Sequence, residues 1–127
     1  MPELPEVETV ARGLAATLEG HVIVAVRQNR PDLRIPFPPD LKKRLEGRRV
    51  IHIGRRAKYL LLTLDDGQIL VVHLGMSGSI VIRHDPALPP QPHDHLVLTA
   101  DDDVVYVLND PRRFGLVEMV AAEKLDQ

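Results

Sequence analysis

The chain begins with residue types that could form a covalent bond to a substrate. Pro2 follows the initiator Met1 and precedes Glu3. Once Met1 is removed, Pro2 carries a secondary amine that is partly unprotonated at neutral pH, whereas a retained Met1 leaves an amide that cannot attack. The amine can attack a carbonyl-like carbon to form a cationic iminium, with the adjacent carboxylate as acid or base. The alternative is a helix start alone, because proline and glutamate both favour a first turn.

A second candidate for proton transfer is Lys58, in the stretch RRAKYL at residues 55–60. In a strand this lysine shares a face with Leu60 and Leu62, so its stem lies at the border of an apolar surface. Desolvation there favours the neutral amine, which suits acid–base work. The alternative is a lysine at a strand end that keeps its charge in water while its stem covers apolar side chains.

Two glycine-flanked segments have residue types that could enter a nucleic acid. HLGMSG at residues 73–78 places Met76 between two glycines, which predicts an exposed turn with a flexible apolar tip. The alternative for this methionine is a core position after a strand. NDPRRFG at residues 109–115 places Arg112 and Phe114 on another turn, and arginine with an aromatic ring suits phosphates and bases.

The segment His93-Asp94-His95 could bind a metal ion, because two histidines flank a carboxylate. No third and fourth ligand follow at a convincing spacing, so we expect no metal site and favour a histidine that hydrogen-bonds phosphate or backbone. A metal enzyme that uses His93 and His95 is the rival interpretation. The chain has no cysteine, which excludes disulfides and thiolate ligands within it.

The 127 residues are 44% apolar and 27% charged, as is ordinary for one soluble globular domain. No apolar run is long enough to span a bilayer, and the acidic N-terminus lacks the apolar region of a signal peptide. The net charge of −2 argues against a uniformly basic nucleic-acid binder. Residues 42–58 nevertheless hold eight of the 16 basic side chains. This basic cluster could contact phosphates or form a solvated surface, and charge alone does not decide.

The elements that must position these residues are predicted to be mainly strands. Apolar residues recur at i, i+3 and i+4 over residues 6–18, which predicts a half-buried N-terminal helix, and a short helix is expected at Leu41–Leu45. Strands are predicted at residues 21–28, 50–53, 59–64, 68–74, 79–83, 96–99, 104–108 and 116–121. Several are apolar on both faces, which favours an antiparallel β-sandwich. We therefore expect a mainly β fold with flanking helices, the last beginning at Glu123 and truncated by the chain end.

The chain contains, in this order, PELPEVE, RRAKYL, HLGMSG, HDH and DPRRFG. Together these motifs resemble the N-terminal domain of bacterial formamidopyrimidine-DNA glycosylase, and the resemblance covers essentially all 127 residues. The family excises oxidised purines, 8-oxoguanine and formamidopyrimidines, and then nicks the strand. The resemblance implies base-excision DNA repair with β-elimination AP lyase activity. It also implies a monomer in the bacterial cytoplasm, associated with the nucleoid through double-stranded DNA that contains oxidised purines or abasic sites, and no membrane partner.

The resemblance further implies roles for the residues near the N-terminus and in RRAKYL. Pro2 is similar to the family's nucleophile, which attacks C1′ of the damaged nucleotide after base flipping and forms the Schiff base. Glu3 resembles the proton donor that opens the sugar or assists base departure. Lys58 is similar to the residue that transfers a proton in β-elimination, and Glu6 to a residue that shapes the site.

For the DNA contacts, Met76, Arg112 and Phe114 resemble the three side chains that the family inserts into the duplex. His93 and Arg112 resemble contacts to the DNA backbone. The family continues into a helix–two-turn–helix module and a four-cysteine zinc finger, whose patterns do not occur in residues 1–127. We therefore expect one N-terminal catalytic domain that holds no cofactor, with zinc only in the family's C-terminal part.

Much of the family's contact with the duplex lies in that C-terminal part. Residues 1–127 alone are therefore expected to bind DNA weakly and to show little or no glycosylase activity. The rival interpretation from another functional class is a non-catalytic DNA-binding or interaction module on the same fold.

Overall fold

The computed structural model describes residues 4–85 and 91–124. Within these ranges the helices are α1 (Leu4–Leu18) and α2 (Leu41–Leu45). The strands are β1 (Ile23–Gln28), β2 (Val50–Arg56), β3 (Tyr59–Leu64), β4 (Gln68–His73), β5 (Ser79–Arg83), β6 (Asp94–Ala100), β7 (Val105–Asn109) and β8 (Leu116–Ala121). The helix predicted from Glu123 is described only to Lys124, where Ala122–Lys124 form a 3₁₀ helix.

The strands form two antiparallel sheets, with the orders β1-β6-β7-β5 and β2-β3-β4-β8. The predicted mainly β antiparallel sandwich is therefore confirmed. The order also shows that the chain changes sheet twice at positions that matter for the site. It passes from β4 in the second sheet to β5 in the first, and later from β7 in the first sheet to β8 in the second.

The core lies between the two sheets and is closed by α1. The buried stripe of α1 repeats every three or four residues, as the sequence predicts, and comprises Val7, Ala11, Leu14 and Leu18. Alternate residues of the inner strands complete this core, among them Leu60, Leu62, Leu70, Leu98 and Leu108. Such burial contributes about 1.5–3 kcal/mol to the free energy of unfolding for each large apolar side chain. The sandwich is therefore a stable scaffold for its connecting turns.

Several strand boundaries differ from the sequence prediction by one to three residues, and the pairing explains the differences in β1 and β2. β2 continues to Arg56, because Arg55 and Arg56 pair with Leu60 and Tyr59 across a tight turn. β1 begins only at Ile23, because Val22 makes an isolated bridge to Arg49 instead of joining the sheet. Among the described helices, none is long and apolar enough to cross a membrane.

Candidate functional site

Two turns that connect the sheets lie side by side at one end of the sandwich. The methionine turn (residues 74–78) joins β4 to β5, and the arginine turn (residues 110–115) joins β7 to β8. His73 pairs with Leu116, and Ser79 pairs with Asn109, so each turn starts where the other ends. The fold therefore brings HLGMSG and NDPRRFG together although they are far apart in sequence.

A buried carboxylate links these two turns. Asp110 has 0% exposure. Its Oδ1 accepts hydrogen bonds from Ser77 Oγ at 2.6 Å and from the Arg113 backbone N–H at 3.0 Å, and its Oδ2 accepts from the Gly115 N–H at 2.9 Å. Ser77 Oγ in turn accepts from the Arg112 N–H at 3.1 Å. Hydrogen bonds to an ionised acceptor are stronger than neutral ones, so this carboxylate organises the backbone of the arginine turn.

The turns also touch through their backbones, and glycine is what allows it. A Cβ on Gly75, whose φ is +68°, would lie 2.6 Å from the carbonyl carbon of Phe114. A Cβ on Gly115 would lie 2.5 Å from the carbonyl oxygen of His73. The close approach holds the two tips at a fixed separation.

The side chains at the tips point away from this packed base. Met76 is 54% exposed and Phe114 is 46% exposed, which confirms the predicted exposed methionine tip. Arg112 is exposed as well, and within residues 4–85 and 91–124 its guanidinium makes no hydrogen bond or ion pair. Large apolar side chains in water beside an unpaired cation are typical of a binding surface.

Arg34 supports the arginine turn from the outside. Its Nε and Nη2 both donate to the carbonyl oxygen of Phe114, at 2.9 and 2.6 Å, and its backbone N–H donates to the Gly115 carbonyl at 3.1 Å. This planar fork fixes the backbone that carries the phenyl ring.

Lys58 lies at the same end of the molecule, just before the strand predicted and found at residues 59–64. It occupies the turn between β2 and β3, because β3 begins at Tyr59, and it is half-buried. The ring of Tyr59 meets the imidazole of His73 edge to face at 4.9 Å between centroids. The lysine is thus one residue from the strand pair that leads into the methionine turn.

His73 is a buried, neutral histidine at the base of the site. Its Nδ1 accepts the N–H of Gly75 at 3.0 Å, which places the ring proton on Nε2. Burial lowers the pKa of this histidine, and the nearby charges of Arg34 and Lys58 lower it further. Its Nε2–H is therefore a neutral donor in a positively charged surrounding.

The segment His93-Asp94-His95 supports the arginine turn. His93 is exposed, with φ +69°, and its carbonyl accepts the N–H of Asp110 at 3.1 Å. His95 is buried, with Nε2 at 2.7 Å from the Asp110 carbonyl oxygen. The buried carboxylate of Asp94 bonds to Asn109 at 2.8 Å and Arg83 at 3.3 Å, so its oxygens already have partners.

Elsewhere in the described ranges, one group has ligand atoms close enough for a cation. His21, Asp101 and Asp102 have these atoms within 4.8 Å of one another. Both ring nitrogens of His21 already face carboxylates, at 2.6 Å from Asp101 and 3.7 Å from Asp102. The hydrogen bond between His21 and Asp101 accounts for this arrangement.

Five side chains of the basic cluster at residues 42–58 contact the protein's own oxygens. The carboxylate pairs are Lys42–Glu46 at 2.8 Å, Arg48–Asp65 at 3.5 Å and Arg55–Glu8 at 2.6 Å. Arg44 bonds to the side-chain oxygen of Gln68, and Arg49 bonds to the carbonyl of Gly20. Two interpretations were left open for this cluster, phosphate contacts and a solvated surface. These contacts fit a solvated surface that contains ion pairs.

Pro2 and Glu3 lie outside the described residues. Glu6 is exposed in the first turn of α1. Two residues further on, Glu8 bonds to Arg55, and this contact places the start of α1 beside the end of β2. Glu6 and the start of α1 therefore lie towards the end of the sandwich that carries Lys58.

Sequence reasoning missed Asp110, Ser77, Arg34 and His73. Asp110 before Pro111 reads as an exposed turn residue, since Asp-Pro commonly starts turns. The pairing of Ser77 with it depends on a contact across 33 positions. His73 carries a local signal, because a histidine at the end of an apolar strand and two residues before a glycine suggests a buried polar group with a partner.

Residues 1–117 match the model of the family described as formamidopyrimidine-DNA glycosylase N-terminal domain. The formamidopyrimidine-DNA glycosylases of Beijerinckia indica and Gluconobacter oxydans are 53% and 51% identical to this chain, over 98% and 99% of it and 46% of each relative. The chain thus spans about half the length of the curated relatives it matches.

Crystal structures of the Lactococcus lactis Fpg agree with this result. The complexes with DNA containing an abasic site and with DNA containing N7-benzyl-Fapy-dG each align with a TM-score of 0.88 at 34% identity. Each alignment covers 98% of this chain, and 46% and 45% of the respective solved chains. The resemblance carried by the five motifs is confirmed, and the chain belongs to the formamidopyrimidine-DNA glycosylase N-terminal domain family.

Proposed function

We propose that residues 1–127 act as the single N-terminal catalytic domain of a base-excision DNA repair enzyme, a glycosylase and AP lyase for oxidised purines. The observation that carries this proposal is the pair of linked turns that present Met76, Arg112 and Phe114 to solvent. Two exposed apolar side chains and an unpaired cation suit a duplex from which one nucleotide has been flipped out.

Met76, Arg112 and Phe114 contribute in different ways to filling that gap. Met76 and Phe114 replace the stacking that the flipped base leaves behind, since both offer apolar surface at the end of a short turn. Arg112 follows them between the strands and neutralises phosphate charge. His93, exposed beside the start of the arginine turn, contacts the DNA backbone together with Arg112.

The bond-breaking chemistry belongs to Pro2, Glu3 and Lys58. The Pro2 nitrogen attacks C1′ of the flipped nucleotide, the glycosidic bond breaks, and Glu3 supplies the proton that lets the base leave or the sugar ring open. The product is an iminium between Pro2 and C1′. Removal of a C2′ proton, with Lys58 as the proton-transfer group, gives an enamine that expels the 3′-phosphate and restores the iminium.

Two features of the described residues support these assignments. Lys58 lies at the end of the sandwich that carries the tips, next to Tyr59 and its partner His73. The ion pair between Glu8 and Arg55 joins the first half of α1 to the end of β2, towards that end of the sandwich. An iminium is itself an electron sink, so the proposed reaction needs no cofactor held by this chain.

The partner that we propose is double-stranded DNA with 8-oxoguanine, formamidopyrimidines or abasic sites. The solved relatives are complexes of the Lactococcus lactis Fpg with DNA containing an abasic site or Fapy-dG. The related sequences come from bacteria, and we place the protein in the bacterial cytoplasm as a monomer on nucleoid DNA.

Reductive trapping tests the proposal directly. The chain, with loss of Met1 confirmed by intact mass, is incubated with an oligonucleotide containing an abasic site in the presence of sodium borohydride. We expect a covalent adduct that peptide mapping assigns to Pro2, because borohydride reduces the iminium to a stable amine.

The matched control is the same chain with Met1 retained, in which the Pro2 nitrogen is an amide. It should bind the same DNA and give no adduct at Pro2. Binding of abasic-site DNA by the processed chain without an adduct at Pro2 would contradict the lyase assignment and support a non-catalytic DNA-binding module.

The expected weakness of residues 1–127 alone is tested on a duplex with one 8-oxoguanine. We expect base release far slower than by the full-length Beijerinckia indica enzyme under the same conditions. Turnover similar to that of the full-length enzyme would show that these residues hold the complete glycosylase.

A further inference from the structure

We propose that Ser77 and Asp110 are positioning residues that couple the methionine turn to the arginine turn, so that the three tips enter DNA as one preassembled unit. This inference rests on the proposed function and deepens it. Neither residue reaches the solvent-exposed tips; both act through the backbone that carries them.

Asp110 is fully buried beneath the two turns. A carboxylate with 0% exposure is unfavourable unless hydrogen bonds replace its lost water. All three of its side-chain donors belong to the two turns: the Ser77 hydroxyl and the N–H groups of Arg113 and Gly115. The buried charge is therefore tied to the geometry of the turns.

The hydroxyl of Ser77 is both a hydrogen-bond donor and a hydrogen-bond acceptor. Its hydroxyl donates to Asp110 at 2.6 Å and accepts from the Arg112 N–H at 3.1 Å. Within the described part of the chain, it is the side chain of the methionine turn that hydrogen-bonds to the arginine turn. Met76 precedes it directly, so a displacement of Met76 is transmitted to the backbone of Arg112.

Coupling of the two turns lowers the free-energy cost of inserting the tips into DNA. Insertion into a duplex requires unstacking of the neighbouring bases, at a cost of a few kcal/mol per step. Connecting turns are usually mobile, and ordering two of them separately would add an entropic cost at the moment of insertion. Turns that are already bonded to each other avoid much of that cost.

The test compares two binding constants of the Ser77→Ala variant. One is for a duplex with a central abasic-site analogue, where the tips have a gap to fill, and the other is for the undamaged duplex of the same sequence. We expect the preference for the abasic-site duplex to fall about tenfold, the effect of losing one charge-assisted hydrogen bond, while binding of undamaged DNA is unchanged. A merely structural role would weaken both constants together.

A spectroscopic measurement reports insertion itself. A 2-aminopurine placed beside the abasic-site analogue brightens when it is unstacked, so wild-type protein should raise its fluorescence at saturation. We expect Ser77→Ala to give a smaller rise even when all DNA is bound, and Ser77→Thr, which keeps the hydroxyl, to restore the rise.

Two further variants complete the design. Ser79→Ala is the matched control, because Ser79 is an exposed serine two positions away whose hydroxyl makes no hydrogen bond to the described residues. Asp110→Asn keeps the shape but presents a donor where an acceptor is needed. It should lose the preference at least as fully as Ser77→Ala, with folding checked by thermal unfolding.

The outcomes separate the inference from the proposed function. Wild-type protein that does not prefer the abasic-site duplex would overturn both. A wild-type preference that Ser77→Ala retains in full, with an undiminished 2-aminopurine signal, would overturn the coupling and leave the proposed function standing. A preference lost in Ser77→Ala and kept in Ser79→Ala and Ser77→Thr supports the coupling.

Discussion

The basic cluster and the arginine turn are both rich in cations, yet they use them in opposite ways. In the cluster, Lys42, Arg48 and Arg55 are paired with carboxylates of the same chain. In the arginine turn the buried carboxylate bonds to backbone N–H groups, and the guanidinium of Arg112 stays unpaired within the described residues. The density of charge in the sequence is highest in the cluster, but three of its cations already face carboxylates, whereas the guanidinium of Arg112 has no such partner among the described residues.

This difference in pairing indicates where a negatively charged ligand is expected to bind. An exposed ion pair gains little in water, but it still competes with a phosphate for the same cation. A cation whose neighbouring acceptor is committed to the backbone has no such competitor.

The largest contrast concerns two glycines with positive φ. Gly75→Ala in the methionine turn forces a Cβ to within 2.6 Å of the backbone of Phe114, whereas Gly47→Ala, in the cluster at φ +87°, meets no atom within 4 Å. We expect Gly75→Ala to lower the free energy of unfolding by about 3 kcal/mol or more, and Gly47→Ala by about 1 kcal/mol, the cost of the left-handed backbone alone. Urea unfolding of both variants measures this, and equal losses would mean that the turns are not closely packed.

The second prediction compares two arginines in DNA binding. Arg112→Ala should weaken binding to an abasic-site duplex about tenfold and reduce the slope of log affinity against log salt by about one, since one phosphate contact is lost. Arg48→Ala, which removes a cation already facing Asp65 at 3.5 Å, should change affinity less than about twofold. Fluorescence anisotropy over a series of salt concentrations distinguishes the two, and a larger effect at Arg48 would reverse the comparison.

The third prediction concerns pH, and the two regions should respond in different ranges. The folded-state pKa of His73 lies below its usual 6.5, chiefly because the ring is buried. The unfolded chain therefore binds more protons below pH 6.5, so this stabilisation is complete above that pH and is lost as pH falls towards the folded pKa. In the cluster, a hydrogen bond from Lys42 lowers the pKa of Glu46 below 4.5, so that contribution remains until the solution is more acidic than pH 4.5.

Urea unfolding of wild type and His73→Asn from about pH 7.5 to about pH 5.5 tests this order. The wild-type protein should lose more stability over this interval than the variant, whose amide oxygen can still accept the Gly75 N–H. Equal pH dependence of the two proteins would show that His73 does not titrate with unfolding.

The smallest effect is expected at the outer support of the arginine turn. Arg34→Lys keeps the positive charge but loses the two parallel hydrogen bonds to the Phe114 carbonyl. We expect a loss of about 1 kcal/mol or less in stability and about a threefold lower preference for abasic-site over undamaged DNA. Lys43→Arg, an exposed position in the cluster, is the control and should change neither quantity. A control that falls as far as Arg34→Lys would show that the effect is not specific to the turn.

Much of the fold can be predicted from the sequence because its signals are local. The helical repeat of apolar residues locates α1, and Asp66-Gly67 between two apolar runs indicates the hairpin of β3 and β4. The exposure of Met76 follows from its flanking glycines. What local patterns do not contain is the partner of each strand, and the pairing of β4 with β8 and of β5 with β7 is what brings the two turns together.

The candidate site shows the same limit. Residue types were sufficient to single out Met76, Arg112 and Phe114, because each has an unusual setting between glycines or in a turn. Asp110 was not predictable in the same way, since its burial depends on donors contributed by segments that meet only in the folded chain. The turn position of Lys58 depends on the register of β2 with β3, which extends three residues beyond the apolar run at residues 50–53.

The way Asp110 bonds has a consequence for the variability of the tips. Within the described residues, its contacts to the arginine turn are all to main-chain groups, and none involves the side chain of Arg112, Arg113 or Phe114. The carboxylate that fixes the arginine turn and the side chains that the turn presents are therefore chemically independent. Side chains at the tips can be exchanged to suit a different opposite base or a different gap, while the same carboxylate continues to hold the loop that presents them.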